Sequence, residues 1–198
     1  REGVGIFDRM NGVGAHEVII ECPDHSMTLS TMPLKSVEEV LWAFHHRITD
    51  LKKDTRFKYV LVFKNEGDEA GASLEHTHSQ LIALPIVPHL VEEELIQAKQ
   101  YYEYKERCIF CDIINQENAD KKRVISENDD FIAIAPFAPR SPFETIILPK
   151  KHESSFYPRS NFGLLARILQ QTLKQIDKVL DLPPYNFMIH TSPFKNEE

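Results

Sequence analysis

The period of apolar and polar positions changes several times along this chain, and each change marks an element. Residues 17–21, Glu-Val-Ile-Ile-Glu, read as a short strand closed by Cys22-Pro23-Asp24-His25. Val37, Val40, Leu41, Phe44, Ile48 and Leu51 recur at helical spacing and define one buried face. Ser36-Val37-Glu38-Glu39 has the form of a capping box at the start of that helix. His45 and His46 fall on or beside its polar side and read as solvated surface residues. Residues 57–63 form the next strand. From Glu75 the period becomes two, which puts His76, His78 and Gln80 on one face of a strand and Thr77, Ser79 and Leu81 on the other. Pro85-Ile86-Val87-Pro88 breaks regular structure. Residues 91–106 are a charged helical segment whose Tyr101, Tyr102 and Tyr104 read as packing residues, because no basic groove accompanies them. Residues 123–125 and 131–134 predict a hairpin around Glu127-Asn128-Asp129. A strand over 143–148, a long helix over 161–181 and a final strand over 185–189 complete the series.

An internal repeat underlies this order. Glu17-Val-Ile-Ile with His25 matches Glu144-Thr-Ile-Ile with His152 at an offset of 127 residues. The same offset carries the helix face Val37–Leu51 onto Leu164–Lys178, and Phe63 onto His190. Each half therefore reads strand, histidine, loop, amphipathic helix, strand. The fold class expected is α+β: two tandem copies of one unit, antiparallel sheets, and helices packed on one face. The expected division is 1–90 for the first copy, 91–107 for a connecting helix and 108–198 for the second. The offset puts counterparts of His76 beyond Glu198 and of Cys108-x-x-Cys111 before Arg1. With no initiator methionine, the expectation is a fragment that lacks both elements.

Composition narrows the function. The chain has 198 residues, 42% of them hydrophobic, and a net charge of −7, which argues against nucleic-acid or membrane-surface binding. No apolar run approaches the roughly 20 residues of a membrane span, and the first residues have no signal-peptide pattern. Three cysteines do not make a disulfide scaffold, so a cytoplasmic setting with reduced thiols is expected. Cys22 reads as buried.

Three nitrogen-bearing side chains in a row on one strand face are costly to bury without partners, and that makes the face a site. An imidazole serves as a nucleophile or a metal ligand near neutral pH. A glutamine amide donates to an anionic oxygen without carrying charge. Upstream, Gly67 and Gly71 permit tight turns, and Asn65 and Ser73 supply neutral donors. Strand, small-residue loop and histidine strand together read as a phosphate cradle. Cys108, Cys111 and His152 supply three ligands of tetrahedral zinc type. Taken alone, Cys108-x-x-Cys111 fits a redox pair or two packed thiols as well.

Phe63-Lys64-Asn65-Glu66-Gly67, Gly71-Ala72-Ser73 and His76-x-His78-x-Gln80 resemble the galactose-1-phosphate uridylyltransferase family, a branch of the histidine-triad superfamily, and within it the plant-like adenylyl-transferring relatives. Cys22-Pro23-Asp24-His25-Ser26, Ala135-Pro136-Phe137-Ala138, Pro142-Phe143-Glu144 and Pro149-Lys150-Lys151-His152 extend the resemblance over nearly the whole chain. It implies two histidine-triad-like repeats with His78 as nucleophile and Gln80 as its partner. It also implies phosphate contacts from Asn65, Gly71 and Ser73. It implies structural zinc at Cys108, Cys111 and His152, and a second site at His25 and His76 whose cysteines are absent. The substrates implied are a nucleoside diphosphate sugar and a sugar phosphate, handled by a homodimer. In hydrolytic relatives the third position is a histidine, which can protonate a leaving group; Gln80 cannot, so transfer is expected over hydrolysis. The expected reaction is uridylyl transfer between UDP-glucose and galactose 1-phosphate. The alternatives are ADP-glucose or diadenosine polyphosphate phosphorolysis, and a non-catalytic zinc-containing nucleotide-binding module.

Overall fold

A computed structural model describes residues 2–9, 11–156 and 161–194. The described residues open with a hairpin, β1 (Glu2–Val4) and β2 (Phe7–Arg9). The first unit follows as β3 (Ala15–Ile20), α1 (Leu34–Leu51), β4 (Tyr59–Glu66) and β5 (His78–Leu84). Helices α2 (His89–Lys105) and α3 (Ile109–Asp120) lead to β6 (Val124–Glu127), β7 (Phe131–Ile134) and β8 (Ile146–Pro149). The last elements are α4 (Phe162–Leu180) and β9 (Tyr185–Ile189). Every strand pairing is antiparallel. The larger sheets run β3-β5-β4-β9 and β6-β7-β8. The fold is α+β, as the periodicity predicts.

The repeat survives as matching elements: β3, α1 and β4 in one half correspond to β8, α4 and β9 in the other. The halves interlock. β9 does not extend the second sheet but pairs with β4, from Val62 opposite Ile189 to Glu66 opposite Tyr185. The apolar face of α1 (Val37, Val40, Leu41, Phe44, Ile48, Leu51) packs with Val60, Val62, Leu81 and Ala83, and Phe162, Ala166 and Leu173 of α4 join the same core. Ile168 of α4 reaches Phe131 and Ala133 of the second sheet. Buried Gln170 donates to the carbonyls of Leu29 (3.1 Å) and Met32 (2.8 Å), so a helix of the second half holds a loop of the first. Arg47 of α1 grips Glu17 of β3 through two 2.7 Å bonds, a fork-on-fork pair that fixes both atoms of the carboxylate.

With one face of the four-stranded sheet covered by α1 and α4, the other stays open. Val18, Ile20 and Met188 are 49%, 55% and 54% exposed on it.

Several expectations are corrected. Pro33, which has no N–H and a fixed φ, stands at the N-cap of α1, so the helix starts at Leu34 and Ser36 lies inside it without capping. His76 sits in the bend before β5, which begins at His78. Phe143 adopts φ 61°, which no strand residue can hold, so β8 starts only at Ile146. His45 is half-buried, its ring 5.9 Å from Trp42 and 6.0 Å from Phe162; only His46 is exposed. Among the tyrosines of α2, Tyr101 bonds Asp112 of α3 (2.7 Å), whereas Tyr102 and Tyr104 face solvent because α2 buries no residue. Helix α3 and the β1–β2 hairpin had no counterpart in the periodicity.

Candidate active site and metal centre

Cross-strand pairing sets the site. Ile20 lies opposite His78, Val18 opposite Gln80, and Phe63 opposite Gln80 on the other side, so His78 and Gln80 share the open face. His78 is 2% exposed. Its Nδ1 lies 2.8 Å from the carbonyl oxygen of His76. A carbonyl only accepts, so Nδ1 carries the proton and Nε2 keeps the lone pair of the neutral ring. His78 lines a cavity of about 330 Å³ together with Asn65, Gly67, Asp68, Ala72 and His76. Gln80 lies outside that cavity. His16 Nε2 donates to Gln80 Oε1 at 3.0 Å. That bond engages the amide oxygen and leaves its two N–H donors for other acceptors.

The loop between β4 and β5 is built from a single 3₁₀ turn, Asp68–Ala70, bracketed by Gly67 (φ 83°) and Gly71 (φ 85°), conformations that side chains rarely adopt. Asn65 holds this loop: its Nδ2 donates to the Gly71 carbonyl (3.3 Å), and its Oδ1 accepts from Asn186 (2.7 Å), which also donates to the Ala70 carbonyl (2.8 Å). Asn186 comes from β9, so the second half shapes the first half's loop. Gly71 and Ser73 are exposed on it.

Beneath the open face lies a charged cluster. Lys64, 0% exposed, donates to Glu21 (2.9 Å), to Thr77 Oγ1 (3.0 Å) and to the His78 carbonyl (3.0 Å), and it pairs with Glu66 (2.8 Å). Thr77 donates to Glu21 Oε2 at 2.5 Å, and Ser79 donates to Glu21 Oε1. Taking Lys64 and Glu21 out of water costs on the order of several kcal/mol per ion before pairing offsets it. The Tyr185 hydroxyl is buried nearby with no hydrogen-bond partner among the described residues. Burial, then the Glu66 and Glu21 carboxylates, push its phenol far above the ordinary value.

Sequence reasoning singled out His78 and Gln80 but missed His16, Glu21, Lys64 and Asn186. Parity could have flagged Lys64, a charge in phase with the core residues Val60 and Val62.

At the metal candidates, one sulfur or nitrogen each from Cys108, Cys111 and His152 lies within 4.8 Å of the others, with Cys111 Sγ 3.3 Å from His152 Nδ1. Two thiols and an imidazole converging from the start of α3 and the end of β8 suit a tetrahedral cation. Burial and then Cys108 raise the Cys111 thiol. His25 and His76 stand edge to face, ring centroids 4.1 Å apart. His76 Nε2 bonds the Cys22 carbonyl at 2.5 Å. Asp24 holds the His25 turn by accepting from Ser26 N (2.9 Å) and Oγ (2.8 Å), bonds that lower its carboxyl. Cys22 is buried, as expected.

Two interlocked antiparallel α+β units, with His78 and Gln80 of a His-x-His-x-Gln stretch on the sheet face opposite α1 and α4, define a protein of histidine-triad-like fold. Residues 4–88 match the family model described as galactose-1-phosphate uridyl transferase, N-terminal domain, and residues 94–198 match the C-terminal domain. The chain belongs to the galactose-1-phosphate uridylyltransferase family. It is 41% identical over 189 residues to an ADP-glucose phosphorylase of Arabidopsis thaliana, covering 94% of this chain and 52% of that protein. It is 32% identical over 197 residues to a galactose-1-phosphate uridylyltransferase of Thermotoga maritima, covering 98% and 61%. A crystal structure of an ADP-glucose phosphorylase from Arabidopsis thaliana with bound ADP-glucose superposes with a TM-score of 0.88 at 40% identity, over 96% of this chain and 61% of that one. The chain thus spans about half to three-fifths of the length of these relatives.

Proposed function

We propose that this chain carries the nucleophile of a nucleotidyltransferase, which moves a nucleoside monophosphate from a nucleoside diphosphate sugar to a phosphate-bearing acceptor by way of a nucleotidyl-histidine at His78. The observation that carries the reading is the 2.8 Å bond from His78 Nδ1 to the His76 carbonyl, which leaves Nε2 as the ring's only lone pair. In the first step Nε2 attacks the α-phosphorus and forms the N–P bond. The bond from phosphorus to the bridging oxygen breaks, and the sugar 1-phosphate departs with the electron pair. It needs no proton near neutral pH. In the second step an oxygen of the acceptor phosphate attacks the same phosphorus, and the ring leaves as neutral imidazole. Gln80, oriented by His16, donates N–H to phosphate oxygens as charge gathers there. An amide cannot shuttle a proton to water, so the intermediate waits for a phosphate rather than hydrolysing. Asn65 would act through the loop it holds, which brings Gly71 and Ser73 toward the phosphates.

Zinc belongs to the same proposal. Cys108, Cys111 and His152 would hold one ion, and His25 with His76 would supply two ligands of another. Its role is structural: neutralising the thiolates and tying α3 to β8.

The sequence alone put uridylyl transfer first. The higher identity to the ADP-glucose phosphorylase, 41% against 32%, supports the adenylyl alternative as the reading to test first. The test is a turnover panel: UDP-glucose with galactose 1-phosphate, ADP-glucose with inorganic phosphate, and diadenosine polyphosphate with inorganic phosphate. The expected result is release of glucose 1-phosphate and ADP fastest in the second arm. Nucleotide binding without turnover in any arm would leave a binding module instead.

A further inference from the structure

The His78 end of β5 is anchored from behind by charge, whereas Leu81 and Ala83 further along the strand pack into the apolar core. Thr77 and Ser79 alternate with the site residues and point to the covered side of the sheet, where both hydroxyls donate to the single carboxylate of Glu21. Lys64 closes the cluster by donating to Glu21, to Thr77 Oγ1 and to the main-chain carbonyl of His78 itself. The side chains of Lys64 and Glu21 are 0% exposed. A buried ion pair is weak evidence for stability, since well-packed apolar residues of similar volume usually serve as well.

We propose that the buried Lys64–Glu21 pair, with the Thr77 and Ser79 hydroxyls, is a positioning clamp that fixes the His78 ring for attack on phosphorus. The inference rests on the nucleotidyl-histidine reading and names the residues that make it work. Every group that sets the ring is tied down: the His78 carbonyl by Lys64, the flanking residues by Glu21, and Nδ1 by the His76 carbonyl. Peptide 76–77 carries that acceptor carbonyl, and the Thr77 hydroxyl pins its far side. A misplacement of about 1 Å in such a site costs roughly 100-fold in rate.

The clamp acts on the chemical step and not on donor binding. Three variants of the full chain test it: Thr77→Val, which keeps the shape and removes the hydroxyl; Thr77→Ser, which keeps the hydroxyl; and Lys64→Met/Glu21→Leu, which replaces the pair by apolar side chains. For each, the single-turnover rate of labelled-nucleotide transfer to His78 is measured beside donor Kd and Tm. Thr77→Val and the double variant are expected to lose about 100-fold in rate with Kd within about threefold, and Thr77→Ser to keep most of the rate. If the double variant does not fold, the comparison of Thr77→Val with Thr77→Ser decides. Wild-type rates in folded Thr77→Val, or a rate loss shared equally by Thr77→Ser, would overturn the clamp. A wild-type protein that takes up no label rejects the nucleotidyl-histidine reading instead, so the two failures are separable.

Discussion

At the scale of single residues, Gln80 works only if its amide faces the phosphates, and His16 decides which way it faces. The His16 ring donates to Oε1 at 3.0 Å, so its removal frees the amide to flip. His16→Ala is expected to slow formation of the intermediate about tenfold, roughly 1.4 kcal/mol, with Tm unchanged, because His16 stands on the open face. His16→Asn, which keeps a donor, should recover part of the loss. A single-turnover rate for His16→Ala equal to wild type would remove His16 from the site. His78 and Gln80 were legible in the sequence because a period of two puts them on one face whatever the strand pairs with. His16, Glu21 and Lys64 were not, because their partners are set by the register of β3 and β4 against β5, which spacing along one strand does not fix.

Among the elements, the long helices and most sheet strands were legible, whereas α3 and the β1–β2 hairpin were not. Helices α1 and α4 each repeat an apolar face over four or more turns. Helix α3 spans 12 residues and buries only Ile114 and Glu117, too few to leave a stripe. The second sheet is held at its edge by Glu127 of β6, which accepts from Lys121 (2.6 Å) beyond α3 and from Lys150 (3.0 Å) beyond β8. These bonds, Lys121 first, lower its carboxyl below the ordinary value of 4.5. A carboxyl lowered by folding adds stability above its ordinary value, and that stability is lost as pH falls through the lowered one. Glu127→Gln should therefore be less stable than wild type at pH 7, by under about 1 kcal/mol because the group is partly exposed and screened by salt. The gap should close as pH falls below 4.5. Urea unfolding of both proteins across that range at low salt checks it; a gap that stays constant would show that the two lysines act through packing alone.

The molecule as a whole is two copies that cannot be cut apart cleanly. The offset of 127 residues revealed the copies. It could not reveal that β9 crosses to pair with β4, that Gln170 holds a loop of the other half, or that Asn186 holds the Gly71 loop, since each contact joins the copies rather than repeating within them. A metal at Cys108, Cys111 and His152 would fix the second copy and, through α4 and β9, steady the first. Metal analysis of the purified chain is expected to find zinc, with Cys111→Ser losing one equivalent and several degrees of Tm. Zinc affinity should weaken as pH falls, because both thiols must give up protons to bind. Unchanged metal content in Cys111→Ser would refute this site.

The most direct measurement is incubation with an α-³²P-labelled nucleoside diphosphate sugar, without acceptor, followed by denaturation and mapping of the label. The prediction is a label on His78 that is lost in acid and stable in base, discharged by adding a phosphate acceptor, and absent from His78→Ala. Turnover without any protein-bound label, or a label that survives in His78→Ala, would contradict the assignment of His78 as nucleophile.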